Sequence, residues 1–220
     1  MLMVNQLVGF GVVTEAGHGP GHVWNPSDKT ANLTLSNSNQ DVARSSGSGS
    51  YETVRAAAAI TAGMKVYWEI KVLENATGNI YIGIMDTTTR AVGSLATGDS
   101  APAGTTKSAQ FRSGIAPSGN YYAGMTGVAG SAITFANNDI YNFAIDYDAG
   151  KGWFGQNGTY VGSGNPGAGT NHTFTFSTSN PIYPAATIWD GTGIWRIIDG
   201  FTTAFTYAVP SGFIWYGDIP

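Results

Sequence analysis

Asp139-Ile-Tyr-Asn-Phe-Ala-Ile-Asp-Tyr-Asp-Ala-Gly-Lys-Gly-Trp-Phe-Gly-Gln-Asn-Gly158 reads as strand, tight turn, strand and second turn. Over residues 139–147 the side chains alternate: Ile140, Asn142, Ala144 and Asp146 oppose Tyr141, Phe143, Ile145 and Tyr147. A period of two is the mark of an extended chain. Asp148-Ala-Gly-Lys151 then makes a turn in which Gly150 supplies a positive φ, and Gln156-Asn-Gly158 makes the next.

The same punctuation runs outward in both directions. Val66-Tyr-Trp-Glu-Ile-Lys-Val72 alternates, with Val66, Trp68, Ile70 and Val72 on an apolar face and Tyr67, Glu69 and Lys71 on a face assigned to solvent. A turn at Ala76-Thr-Gly-Asn79 separates it from Ile80-Tyr-Ile-Gly-Ile-Met85, which predicts a hairpin. Three later strands are expected, at residues 182–189, 194–198 and 204–207. Residues 53–60 carry helix-forming alanines just before a strong strand and read as extended or helical. Residues 44–50 and 91–119 are Gly/Ser/Thr-rich loops, the second long enough to hold a function or a short element of its own. No repeat and no shift in composition divides the chain. The expectation is an all-β, two-sheet antiparallel sandwich at residues 24–220, preceded by an arm or assembly strand at residues 1–23.

Composition narrows the function. Of 220 residues 42% are hydrophobic, enough for a real core, whereas only 11% are charged. The net charge is −4 and the lysines and arginines are scattered singly, which argues against nucleic acid as a partner. The chain has no cysteine, so thiolate chemistry, disulfides and Cys-based zinc sites are excluded. No apolar run approaches the ~18 residues of a membrane helix, so no membrane insertion is expected.

Across residues 24–213 the sequence resembles the SPRY (B30.2-like) family, in its short bacteriophage structural-protein form. Val66-Tyr-Trp-Glu-Ile70 with Ile82-Gly-Ile84 looks like the family's Tyr-Trp-Glu strand. Residues 144–154 with Asn157-Gly158 are similar to its Asp-rich turn, Trp-Phe pair and Asn-Gly turn. Pro181-Ile-Tyr-Pro-Ala185 and residues 205–213 resemble its later strands, and Trp24-Asn-Pro-Ser27 with Leu33-Thr-Leu35 resembles the phage-type opening. One departure stands out: Ile197-Ile-Asp-Gly200 occupies the place of an Asn-Phe-Gly-type stretch, which predicts a rebuilt sheet end. The resemblance implies a concanavalin-like jelly roll in which Trp68, Glu69, Asp146, Asp148, Trp153, Phe154, Asn157 and Gly158 are structural.

Chemistry is harder to find. His18 and His22 lie in Gly17-His-Gly-Pro-Gly-His22, which reads as a loop, with Asp28 or Glu15 as the nearest recruits for a metal. Residues 137–139 and 146–148 offer oxygen ligands but match no calcium-loop template. Glu69 and Asp86 would be the carboxylate pair of a glycosidase if their strands pair. No nucleophile elbow or phosphate loop is present. No catalytic residue, metal or cofactor is therefore assigned.

The function expected is a non-enzymatic virion structural protein of a tailed bacteriophage, as capsid decoration, head fibre or tail component. Its partners would be other virion proteins, with self-association through residues 1–13. The alternative is a module binding a host surface glycan or receptor through Tyr121, Tyr122, Trp189, Asp190 and Trp195, although alternation favours the core for Trp189 and Trp195. A peptide-binding adaptor ranks third.

Overall fold

The computed structural model describes residues 22–44, 51–86, 108–113, 121–123, 136–200 and 202–220. The arm at residues 1–21, most of the loops at 44–50 and 91–119, and His18 lie outside them. Thirteen strands are described: β1 (Trp24–Lys29), β2 (Leu33–Ser36), β3 (Asp41–Arg44), β4 (Tyr51–Ala56), β5 (Lys65–Asp86), β6 (Ser108–Ser113), β7 (Tyr121–Ala123), β8 (Ile140–Asp146), β9 (Lys151–Gln156), β10 (Thr159–Tyr160), β11 (Phe174–Thr175), β12 (Ile182–Ile198) and β13 (Ile214–Trp215).

Two long strands build both layers. The expected hairpin at residues 66–85 does not form: β5 is one strand of 22 residues. Residues 182–198 are likewise one strand, β12, of 17 residues. Each half of β5 finds its partner in β12 rather than in the other half. The first half of β5 and the second half of β12 belong to one sheet, ordered β2-β3-β12-β5-β8-β9-β10. Their other halves belong to the second, ordered β1-β4-β12-β5-β6-β7. All these pairings are antiparallel; only β13 lies parallel, against Val66 and Tyr67 of β5. Residues 53–56 are extended within β4, and β6 is a short element inside the long 91–119 stretch.

The core lies between the sheets. Along β5 its members are Val66, Trp68, Ile70, Val72, Ile82 and Ile84, all even-numbered, so one face of the ribbon stays inward through both layers. Along β12 they change from Ile182, Ala186 and Ile188 to Trp195 and Ile197, because register shifts between Trp189 and Trp195 invert the alternation. Trp68 stacks on Phe143 at 4.9 Å, and Trp24, Val54, Val42 and Leu33 close the far side. Trp24, Trp68 and Trp195 are fully buried here, and apolar area contributes about 25 cal/mol per Å2 removed from water.

The turns behave as their residues dictate. Gly150 has φ +59, and a Cβ there would sit 2.8 Å from the Phe176 carbonyl oxygen. Asp146 accepts the Ala149 N–H and pairs with Lys65 at 2.8 Å. Asp148 caps a different turn, accepting the N–H of Gly63 at 2.9 Å. Asn157 takes φ +50 while its Oδ1 accepts the Ile140 N–H.

Candidate binding surface

The face of β5 assigned to solvent is covered. Tyr67 and Glu69 are buried beneath residues 202–213, which cross the outside of the first sheet as an irregular strap instead of the expected strand at 204–207. The strap begins at Asp199, whose buried carboxylate accepts the Thr202 N–H and hydroxyl at 2.8 Å and the His22 N–H at 2.9 Å. Gly200 turns the chain at φ +86, with the Phe205 ring where a Cβ would stand. The Ile197-Ile-Asp-Gly200 stretch thus ends β12 and starts the strap.

Glu69 then takes the place of a ladder partner. Its Oε2 accepts the Thr206 N–H and its Oε1 the Tyr207 N–H, both at 2.9 Å. The Tyr67 hydroxyl donates to Oε1 at 2.8 Å, and Asn142 donates to that hydroxyl at 2.7 Å. Asn142 in turn accepts the Gly158 N–H. A buried carboxylate is tolerated here because donors surround it. Burial and the Glu69 charge push the Tyr67 hydroxyl far above its ordinary pKa, so it remains a donor. Apolar contacts complete the seal: Phe205 meets Tyr67 edge-on at 4.8 Å, and Phe213 meets Trp153 at 6.2 Å.

Beside the strap runs an open groove of about 500 Å3. Tyr160 and residues 164–168 form one wall, and residues 208–211 form the other. The first wall is fixed from below, since Trp153 Nε1 donates to the Thr170 carbonyl at 2.8 Å. Asn165 and Thr170 exchange backbone hydrogen bonds, and the Asn165 side chain accepts the Ala168 N–H at 3.0 Å. No lining residue carries a formal charge. Ile214 and Trp215, further along the strap, are 41% and 39% exposed, the large hydrophobics left to solvent among the described residues.

The residues read as ligand-binding do not converge. By register Tyr121 and Tyr122 lie on β7, separated from β12 by β6 and β5, and Trp189 pairs with Asn79 well along from that level. Asp190 follows it in β12. Trp195 is a correction: it is fully buried in the core, on the inward face of the other sheet, and has no surface for a ligand. The glycosidase pair is also corrected, because Glu69 and Asp86 stand near opposite ends of one strand and Glu69 is spent on the strap. His22 bonds to Asp199 and, through Nε2, to the Ile219 carbonyl at 2.7 Å, which ties the start of the domain to its last turn. Among the described residues no three His, Asp or Glu side chains gather in a way that could hold a metal. The groove itself is absent from the sequence reading, which assigns nothing to residues 164–169.

Comparison with solved structures gives the same architecture. The SPRY domain of human HERC1 superposes with a TM-score of 0.53 at 18% identity, over 80% of this chain and 96% of that one. A human SPRY domain gives 0.52 at 16% identity, over 76% and 94%. Stonustoxin gives 0.55 at 17% identity, over 81% of this chain and 27% of the toxin. The fold is therefore SPRY-like. No protein-family profile and no curated protein matches the sequence.

Proposed function

We propose that this chain is a non-enzymatic interaction domain that serves as a structural protein in the virion of a tailed bacteriophage. The observation that carries a non-catalytic reading is how its ionisable groups are used. Glu69, Asp146, Asp148 and Asp199 hold backbone N–H groups, while Arg55 with Asp28 and Arg196 with Asp41 form paired contacts at 2.6 Å. Among the described residues, an uncharged groove and the exposed Ile214 and Trp215 lie at the surface. Such a surface suits contact with other macromolecules. The phage assignment rests on the sequence resemblance at Trp24-Asn-Pro-Ser27 and Leu33-Thr-Leu35 and on the low charge.

The test is quantitative mass spectrometry of density-purified virions from a phage carrying this gene. The chain should appear in particles at many copies per virion. Its presence only in the unassembled lysate would refute the virion role. A host-glycan or receptor adhesin is the second reading, favoured by the open groove; a peptide-binding adaptor is the third, favoured by the SPRY-like fold.

A further inference from the structure

We infer that the groove between Tyr160 and Pro210 is a binding site for an uncharged saccharide. This goes beyond the virion reading and gives its adhesin alternative a definite site, away from the aromatic residues that the sequence suggested.

Three features select the ligand. First, the lining is uncharged, so neither an anionic nor a cationic ligand gains a partner there. Second, the groove offers hydrogen-bond donors that the fold does not use. Among the described residues the N–H groups of Gly167, Val209 and Ser211 find no acceptor, and all three residues line the groove. The amide of Asn165 and the hydroxyl of Ser211 add side-chain groups of both polarities. Third, an extended peptide is a poor match. Pro166 and Pro210 interrupt the two walls and remove the N–H groups that a regular ladder needs. Irregularly spaced donors beside a half-buried tyrosine suit the hydroxyl groups around a sugar ring. The volume of about 500 Å3 falls within the usual range for small-molecule sites.

The wall positions also explain why the site is preformed. Glu69 fixes residues 206 and 207 immediately before one wall, and Trp153 fixes Thr170 immediately after the other. A rigid frame lowers the ordering cost of binding.

The experiment is amide-resolved NMR titration of the full chain with neutral gluco-, galacto- and manno-configured tetrasaccharides. A sialylated oligosaccharide, a sulfated oligosaccharide and a proline-rich peptide serve as contrasts. At least one neutral probe should saturate with shifts centred on Gly167, Val209 and Ser211. Ser211→Trp, placed at an exposed position to fill the groove, should weaken that probe at least tenfold while thermal melting stays unchanged, and Ala208→Trp should do the same. No shift with any neutral probe overturns the inference. So does binding by both tryptophan variants as tight as by the wild type, or selective binding of the charged probes or the peptide. None of these outcomes bears on the virion role, which particle composition decides separately.

Discussion

The Glu69 carboxylate accepts the Tyr207 N–H at 2.9 Å across a sequence separation of 138 residues. It accepts the neighbouring Thr206 N–H and the Tyr67 hydroxyl as well. A side chain thus does what a strand edge would ordinarily do for the chain crossing it.

Glu69→Ala should therefore cost about 3–5 kcal/mol, because it strands buried donors that lose a charged acceptor. Glu69→Gln keeps the shape but cannot accept at every position, and should cost less, about 1–3 kcal/mol. Urea denaturation gives both numbers. Hydrogen exchange at Thr206 and Tyr207 should accelerate in both variants well before the β8 amides respond; unchanged protection there would mean that the strap is held by its aromatic contacts alone.

Gly158 has φ +79 with the Tyr207 ring 2.6 Å from where a Cβ would be placed. Gly158→Ala combines backbone strain with a clash against the strap, and should destabilise by at least about 2 kcal/mol. Gly162 is the contrast, with a similar φ of +64 and nothing within 4 Å of its Cβ position, so Gly162→Ala should cost only the backbone part, about 1 kcal/mol. Equal losses in the two variants would show that the Tyr207 contact yields without cost.

Trp195→Ala should lose about 3–5 kcal/mol by emptying a fully buried site. At temperatures where the variant remains folded, it should bind any groove ligand as wild type does. A selective loss of binding, with the melting transition unmoved, would reverse the assignment of this residue to the core.

Asp139 carries the acid prediction. Partial burial raises its carboxyl pKa, but hydrogen bonds from Asn157, the Ala136 N–H, Gln156 and Tyr141 outweigh this and leave it below the ordinary 3.8. A depressed folded pKa stabilises above the unfolded value, and that contribution disappears as pH falls through the folded one. The stability gap between wild type and Asp139→Asn should therefore be full at pH 6 and close below pH 4. Denaturation curves at several pH values read it directly, and a gap constant down to pH 2 would exclude titration of Asp139 as its source.

Local pattern carried much of this architecture. The alternations at residues 66–72 and 139–147, the Gly150 turn and the Asn157-Gly158 turn all stand where side-chain period and turn chemistry place them. Three things were not legible, each because it depends on distant partners. Residues 76–79 carry turn-forming residues, yet β12 supplies hydrogen bonds on both sides of them and holds the chain extended. Glu69 occupies a position polar enough for solvent, and only the returning strap reveals it as buried. The change of inward parity along β12 comes from bulges inside one strand, whereas in the sequence the two runs read as separate strands at 182–189 and 194–198. The groove was least visible of all, since its walls are small, neutral residues brought together from two loops.

Because β5 keeps one inward parity through both sheets, a single strand sets which of its side chains face the core in each layer. A slip of a single residue would turn Trp68 outward and Glu69 inward, and would expel Ile82 and Ile84 from the opposite layer at the same moment. A pairing mistake in either sheet is thus penalised in both. The molecule proofreads its own assembly along one continuous strand, and the alternatives it rejects are wrong everywhere at once.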